Sequence, residues 1–283
     1  MESTNPLRRP TPLLITTLLV LYSHLRHKLT LPAILLATFT SLLHSSTPSS
    51  LPFWSLILFF ALGTIATRIG HAAKSHLTLS ATGGSGAEGA RNAAQVLANS
   101  GAASIFIILG LWGSSSSSSR TGWTAGKVDV GVAAAYAAAA ADTLSSELGI
   151  LARGQPLLIT QPWRRVPRGT NGGVTLLGLA AGGVGGVALA GLHYAHYRDG
   201  GKAGLVSGLG LVGTVVDSLL GAVAQRTVED KKSGRVVEGA NGRRVMVGQG
   251  EGSRVGRGRD WLNNNGVNFT MTLAIGVVGL LLA

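Results

Sequence analysis

The amino-acid sequence predicts an all-α fold, a polytopic transmembrane helix bundle of about seven spans. Hydrophobic residues make up 46% of the 283 residues and charged residues only 13%, and the mean hydropathy is +0.34. This is too apolar for an ordinary soluble domain. Apolar runs of about 15 to 22 residues recur, near the ~20 residues with which a helix crosses a hydrocarbon core. Because the runs are continuous rather than alternating, they favour helices over a β-barrel.

The apolar runs also predict the domain organisation. Residues 1–28 form a basic N-terminal segment whose short apolar run, 12–22, is interpreted as an interfacial or half-inserted helix, with an eighth span as the alternative. Residues 29–283 form a single integral membrane domain with flexible loops at about 113–127 and 226–260. The seven predicted spans are 29–43, 51–67, 93–112, 128–148, 172–192, 203–224 and 267–283.

The positive charge indicates orientation in a membrane rather than nucleic-acid binding. The net charge is +12, and if seven spans alternate, 20 of the 24 Lys and Arg residues fall on one side. By the positive-inside rule that side is cytosolic, and the excess also attracts anionic headgroups. We therefore expect the lipid bilayer as a partner and no nucleic acid. The absence of cysteine excludes disulfides and thiolate metal sites.

The expected location is an endomembrane such as the endoplasmic reticulum. Organelle import is the alternative, because no acidic residue lies between Glu2 and Glu88 while Arg, Ser and Thr are frequent there. The sequence leaves the oligomeric state open.

Polar residues inside apolar spans are the candidates for function. The third span begins with Asn92, Gln95 and Asn99, which share one narrow face of a helix. A carboxamide in hydrocarbon is costly, so this face should point into the bundle or into a wet cavity. Hydrogen bonding between helices and ligand binding both remain open for these three residues.

Two acidic residues lie inside later spans. Asp142 in the fourth span and Asp217 in the sixth lie on faces rich in small residues near the cytosolic end. An unpaired carboxylate there is expensive, which favours a metal site, with an Asp to Arg pair as the alternative. Glu147 points roughly 140° away from Asp142 and is the weaker candidate. The polar residues near these acids are Ser146, Ser218 and Gln225.

The loop before the fifth span predicts an anion site. Arginines flank Pro167 and lead into the sequence GTNGG, where Thr170 or Asn171 can cap the next helix and free backbone N–H groups favour an anion. Glycines that merely permit close packing are the alternative. Asn265 or Asn268 can cap the last helix at the same side. The predicted phosphate contacts of this loop are Arg164, Arg165, Arg168, Gly169, Thr170, Asn171, Gly172 and Gly173.

Five motifs carry a resemblance to a known family: RNAAQVLANSG, ADTLSSELG, VPRGTNGGVTLLG, VDSLLGAVAQ and NNNGVN. In this order and spacing they resemble the transmembrane protein 19 family, also called domain of unknown function 92, from about Leu29 to the C-terminus. Plant phytyl-phosphate kinases belong to that family. The resemblance therefore implies phosphoryl transfer from a nucleoside triphosphate to a membrane-embedded prenyl phosphate. The Ser-rich and Gly/Arg-rich loops and the N-terminus depart from the family outside the motifs.

The implied reaction gives the acidic residues a role. Phosphoryl transfer uses a metal ion that bridges the nucleotide phosphates, and Mg2+ commonly takes one or two carboxylates in addition to phosphates. We predict that Asp142 and Asp217 are catalytic and bind Mg2+, with carboxylates within roughly 8 Å of each other, and that Glu147 is a reserve. The alternatives are a noncatalytic membrane protein and a lipid or anion transporter. A transporter should show inverted repeats, which the sequence lacks.

Overall fold

The predicted helix bundle is confirmed by a computed structural model, which describes residues 10–81, 89–115, 123–239, 242–248 and 254–283. Within these residues the helices are α1 (Pro10–Leu25), α2 (Leu31–Ser45), α3 (Leu51–Arg68), α4 (His71–Lys74), α5 (Ala93–Ser115), α6 (Ala125–Gly149), α7 (Leu176–Tyr197), α8 (Gly200–Ala224) and α9 (Asn264–Leu282). Five of them, α3, α5, α7, α8 and α9, are long and apolar enough to cross a membrane, and α1 and α2 are shorter apolar helices. Parts of the predicted N-terminal segment and loops lie outside the described residues.

Helix α6 is the centre of the bundle. It packs against α3, α5, α7, α8 and α9, and every residue from Val128 to Ala141 is buried. Small residues allow this packing, since a Cβ atom on Gly213 of α8 would lie only 2.4 Å from the Cβ atom of Ala138. Because other helices rather than lipid surround α6, it is built from alanine instead of larger apolar residues.

Helix α1 packs antiparallel to α2. Midway along the pair, the hydroxyl groups of Thr16 and Ser41 lie 2.7 Å apart, and the Tyr22 hydroxyl accepts a hydrogen bond from Arg68 at the end of α3. Helix α1 has 16 residues and is about 24 Å long at 1.5 Å per residue. The sequence left this segment open between an interfacial helix and an eighth span. Because this length is shorter than a hydrocarbon core of roughly 30 Å, both interpretations stay open.

Short strands occur between the helices. They are β1 (Leu79–Ser80), β2 (Leu157–Leu158), β3 (Gln161–Arg165), β4 (Gly173–Val174), β5 (Thr227–Asp230), β6 (Val237–Glu238) and β7 (Arg254–Arg257). Strands β3, β2 and β4 form one antiparallel sheet, β5 pairs antiparallel with β7, and β1 pairs parallel with β6. The prediction of little fixed structure in loop 226–260 is therefore wrong for its described residues, because apolar residues such as Val228, Val236 and Val237 are buried there.

The helices alternate in direction, so alternate loops meet at the same end. Helices α3, α6 and α8 end, and α5, α7 and α9 begin, at one end of the bundle, which we call the chamber end. The strands of the described residues all lie in loops at this end, and the five sequence motifs lie there as well, in helix ends and loops. The five motifs, which are far apart in the sequence, therefore converge at one end of the bundle. The assignment of the chamber end to the cytosol stays a prediction.

Candidate active site at the chamber end

A cavity of about 430 Å³ opens at the chamber end, and we call it the chamber. Its wall is formed by the ends of α3, α6 and α8, the beginnings of α5, α7 and α9, α4, and the loops between them. Three predicted site residues, Asn92, Arg164 and Arg165, lie outside its wall. The predicted residues that line it are Gln95, Asn99, Asp142, Ser146, Glu147, Arg168, Gly169, Thr170, Asn171, Gly172, Gly173, Asp217, Ser218, Gln225, Asn265 and Asn268.

Two acidic side chains meet in the chamber. Asp142 on α6 and Asp217 on α8 each lie about two turns, or roughly 10 Å, from the end of their helix. Their carboxyl groups are within hydrogen-bonding reach of each other. With its nitrogen turned toward Asp217, the Asn268 amide on α9 donates to Oδ1 at 3.2 Å and to the Asn264 carbonyl at 3.0 Å. The proximity that the sequence predicts is present, while the binding of a metal stays a prediction.

The acid pair fits a magnesium ion that is bound together with phosphate. Carboxylate and amide oxygens are the hard ligands that Mg2+ prefers, and this ion usually takes only one or two carboxylates, with water and substrate phosphates completing its shell. Within the described part of the chain, no group of three or more His, Cys, Asp or Glu residues could form an all-protein metal cage. Two ionised carboxylates this close repel each other, and a cation between them would relieve the repulsion.

Glu147 has a basic partner. Its Oε2 atom lies 2.5 Å from Nζ of Lys74, and its Oε1 accepts a hydrogen bond from Thr67 at 3.4 Å. Lys74 also donates to the Ala66 carbonyl at 2.7 Å. These contacts connect α4 and the end of α3 to α6, so Glu147 stabilises the chamber wall. The sequence did not single out Lys74, because a lysine in a basic loop cannot be distinguished from the charges that orient the protein in the membrane.

The amide residues at the start of α5 have local structural roles. Asn92 Oδ1 accepts a hydrogen bond from the Gln95 N–H and Gln95 Oε1 accepts one from the Asn92 N–H, both at 3.0 Å. This reciprocal arrangement is a capping box, which satisfies two free N–H groups of the first turn. Asn99 Nδ2 donates to the Gln95 carbonyl at 3.0 Å. Asn92 is thus a helix cap, while Gln95 and Asn99 remain on the chamber wall.

Arg91 is a chamber residue that the sequence analysis did not propose. Its guanidinium Nη2 donates to Thr67 Oγ1 at 3.2 Å, and its backbone bonds to Lys28 and Thr30 in the turn between α1 and α2. Among the described residues, no ion pair involves Arg91. The guanidinium is therefore held in place by hydrogen bonds, while none of the described acidic residues neutralises it. The sequence signal was its position directly before the stripe of Asn and Gln residues.

The predicted helix caps are wrong at two positions. Helix α7 begins at Leu176 and is capped by Thr175, which accepts from the Gly178 N–H at 3.0 Å, and not by Thr170 or Asn171. The GTNGG segment is instead a loop that continues into β4. Helix α9 is capped by Asn263, which accepts from the Gly266 N–H at 2.9 Å, and not by Asn265 or Asn268. This leaves the Asn268 side chain available to Asp217.

The GTNGG loop packs on the protein through its glycines. Gly172 has φ +77°, and a Cβ atom at this position would lie 2.4 Å from the Cβ of Ala222 on α8. The backbone N–H groups of Thr170, Asn171 and Gly173 donate to Pro167, Thr227 and Thr170 respectively. The expectation that free N–H groups of a helix start bind an anion is thus wrong for these three residues. Close packing of the loop was the alternative, and the structure favours it.

The arginines of the same loop separate into two groups. Arg164 and Arg165 lie on β3, whose residues are all exposed. Arg168 lines the chamber and donates to the carbonyls of Ala152 and Arg153 at 2.7 and 3.0 Å. The strand turns the first two arginines away from the chamber, which the sequence could not indicate because it predicted a loop there.

Further arginines of the chamber wall come from the loop between α8 and α9. Arg226 and Arg244 share Asp260, at 3.4 and 3.2 Å. Arg243 also lines the chamber, and no ion pair in the described ranges involves it. Arg243 and Arg91 therefore supply positive charge that none of the described acidic residues neutralises.

The fold and the chamber define the class of protein: a multi-pass integral membrane protein whose helix bundle holds a polar chamber at one end. Residues 14–276 match the family described as Integral membrane protein DUF92, and the chain belongs to this family. The resemblance given by the five motifs is thereby confirmed.

Two relatives cover most of the chain. Protein PGR of Arabidopsis thaliana is 33% identical over 241 residues, which are 77% of this chain and 76% of the relative. An uncharacterized membrane protein of Methanocaldococcus jannaschii is 29% identical over 232 residues, 80% of this chain and 74% of the relative. No solved structure matches the chain.

Proposed function

We propose that the chamber is the active site of a phosphotransferase that converts an isoprenoid monophosphate in the membrane to its diphosphate at the expense of a nucleoside triphosphate. The observation that carries the proposal is the pair of carboxyl groups on Asp142 and Asp217, which face each other in a cavity lined by arginines. Buried acids in a membrane protein are expensive unless they are used. A polyphosphate with its metal ion matches both signs of charge in the chamber.

The reaction requires little of the protein beyond positioning and charge. An ionised oxygen of the acceptor monophosphate attacks the γ-phosphorus, the bond from that phosphorus to the β,γ-bridging oxygen breaks, and the nucleoside diphosphate leaves with the bond's electron pair. Because the acceptor oxygen is already ionised, no strong general base is needed. This agrees with a chamber in which His71 is the one histidine among the described lining residues.

The residues of the chamber divide into two proposed roles. Asp142 and Asp217 would hold Mg2+, with Asn268 orienting Asp217, and when bound the ion neutralises negative charge on the nucleotide phosphates. Arg91 and Arg243 would hold the phosphate groups through charge-assisted hydrogen bonds. Glu147 acts on the site indirectly, through its ion pair with Lys74.

The proposal is tested with the purified full chain in lipid nanodiscs. Radiolabelled nucleoside triphosphates are combined with a panel of prenyl monophosphates, and labelled prenyl diphosphate is the expected product. Its formation should require Mg2+ and should be absent with the Asp217→Asn variant. Failure of every nucleotide and acceptor pair to give a labelled lipid, in a preparation that remains monodisperse, would favour the noncatalytic protein or the transporter.

A further inference from the structure

A second cavity adjoins the chamber. It has a volume of about 110 Å³ and lies between α1, α2, α3 and α5, and we call it the side groove. Four residues, Phe59, Arg91, Gln95 and Asn99, line both the side groove and the chamber. The two spaces therefore adjoin each other at these four residues, and Arg91 borders both.

The side groove is apolar although several of its residues carry hydroxyl groups. Thr38 Oγ1 donates to the Ile34 carbonyl at 2.8 Å, and Ser100 Oγ donates to the Val96 carbonyl at 2.8 Å. Each hydroxyl thus bonds the preceding turn of its own helix. With their donors occupied, these residues present mainly carbon surface to the groove, next to Leu19, Val20, Ile57 and Phe60.

The shape of the side groove suits one narrow chain. It runs along α2 from Ile34, near the chamber end, to Ser41, which is about two turns or roughly 10 Å. At its far end Ser41 is hydrogen-bonded to Thr16. A closed pocket for a drug-sized ligand has about 300 Å³ or more, so this volume can receive only the first part of a long chain. The remainder would continue into the bilayer.

We propose that the side groove binds the hydrocarbon chain of the acceptor, with the acceptor's phosphate at Arg91 and its tail directed away from the chamber. This inference rests on the proposed function. Along the site the lining changes from the arginine through the carboxamides to the apolar walls. This order matches a ligand with an anionic head followed by a single hydrocarbon chain. A lipid with two acyl chains does not match a groove of this volume. The groove then strengthens the binding of acceptors whose chain is long enough to fill it.

Ala37 is the position at which to fill the groove, because it lines it from α2. The full-length Ala37→Phe variant is compared with Leu35→Phe, a matched control on the same helix whose side chain is 65% exposed on the outer face. The ratio of kcat/KM for geranylgeranyl monophosphate over dimethylallyl monophosphate should fall about tenfold in Ala37→Phe, equivalent to the loss of burial of two or so methylene groups. It should stay within about twofold in Leu35→Phe. The smaller Ala37→Leu change is used if Ala37→Phe does not fold.

A binding measurement separates this inference from the proposed function. A prenyl monophosphate with a diazirine in its first isoprene unit is photolysed with the full chain, and the labelled peptides are mapped by mass spectrometry. Labels on α2, α3 or α5 that disappear in Ala37→Phe and persist in Leu35→Phe support the groove, even if no phosphoryl transfer is observed. Active protein with labels elsewhere, or with an unchanged chain-length ratio in Ala37→Phe, overturns the groove and leaves the proposed function standing. A phospholipid that copurifies in the groove and resists displacement by the probe overturns it as well.

Discussion

Buried acidic residues have different partners at the two ends of the bundle. At the end opposite the chamber, Asp129 near the start of α6 is only 2% exposed, accepts a hydrogen bond from the Tyr197 hydroxyl and lies within hydrogen-bonding reach of Ser49. At the chamber end, Asp142 and Asp217 face each other beside a cavity, and among the described residues neither forms an ion pair with a base. Asp129 is satisfied by hydroxyl donors, whereas Asp142 and Asp217 have each other as partners, with the Asn268 amide as a further donor to Asp217.

This difference distinguishes a structural acid from a functional one. A buried carboxylate with its own donors is a satisfied part of the packing. Two buried carboxyl groups that face each other can both ionise only with a cation between them, so a fold that keeps them has a reason beyond stability. The comparison predicts opposite consequences for acid substitutions at the two ends.

The largest expected effect is all or none and concerns the orientation of the two ends. The chain has no cysteine, so single cysteines report cleanly. Lys232→Cys at the chamber end and Gly200→Cys at the opposite end replace exposed residues. In sealed vesicles, a membrane-impermeant maleimide applied to the cytosolic face should label only Lys232→Cys, because the positive charge lies at the chamber end. Labelling of Gly200→Cys alone would mean that the chamber end faces away from the cytosol. Labelling of both variants in sealed vesicles would mean that the two ends do not lie on opposite sides of the membrane.

The next largest effect is expected from the acid pair itself. Asp142→Asn and Asp217→Asn should each reduce phosphoryl transfer by about 1,000-fold or more, since they remove charge from the proposed metal site with little change in shape. Without divalent cations, their melting temperatures should equal or exceed that of the unchanged protein, because a buried ionisable group is replaced by a neutral one of the same shape. Turnover assays and thermal unfolding of the same preparations measure both.

Asp129→Asn is the matched control at the opposite end. It should retain transfer within about threefold and should lower the free energy of unfolding by about 1 kcal/mol, because it weakens a charge-assisted hydrogen bond from Tyr197. Equal loss of activity in Asp129→Asn and Asp217→Asn, or a lowered melting temperature in both, would contradict the distinction between the two ends.

The sequence predicted the bundle and the acid pair because both follow from the cost of burial. A continuous apolar run has few alternatives to a membrane helix, and the predicted span 93–112 agrees closely with α5 at Ala93–Ser115. A carboxylate inside such a run is expensive in any arrangement of helices, so Asp142 and Asp217 could be singled out before their neighbours were known. The alternation of spans then placed both at one end.

The details that the sequence missed depend on how loops fold back. Thr170, Asn171 and Thr175 are all suitable helix caps, and only the pairing of β4 with β2 decides that the helix starts after Thr175. Arg164 and Arg165 adjoin a motif, yet the strand they form faces solvent. Charge alone does not identify a loop arginine that enters the chamber, because arginines in the loops also set the orientation of the protein in the membrane.

An effect of intermediate size is expected from the arginines, for which the sequence and the structure predict different phosphate-binding residues. The structure predicts that Arg91→Gln raises the KM for the prenyl monophosphate by about 10- to 50-fold, since one or two charge-assisted hydrogen bonds to phosphate are lost. It predicts a change below about twofold for Arg165→Gln on exposed β3. The sequence analysis predicted weaker binding for the second variant. Steady-state kinetics with varied acceptor decide between them, and a larger effect at Arg165 than at Arg91 would mean that Arg165, and not Arg91, binds the acceptor phosphate.

The smallest effect on catalysis is expected from Glu147, an acid of the chamber wall that has a basic partner. Its side chain is 19% exposed and that of Lys74 is 12% exposed, so the ion pair is largely shielded from water. Glu147→Gln should lower the free energy of unfolding by about 1 to 3 kcal/mol, because Lys74 loses its carboxylate, and should reduce transfer only about two- to fivefold. Replacing both partners, as in Lys74→Met with Glu147→Gln, should recover part of the stability, since no unpaired charge is left. Loss of transfer as complete as in Asp217→Asn at an unchanged melting temperature would mean that Glu147 takes part in the chemistry, and the distinction between partnered and facing acids would then fail within the chamber.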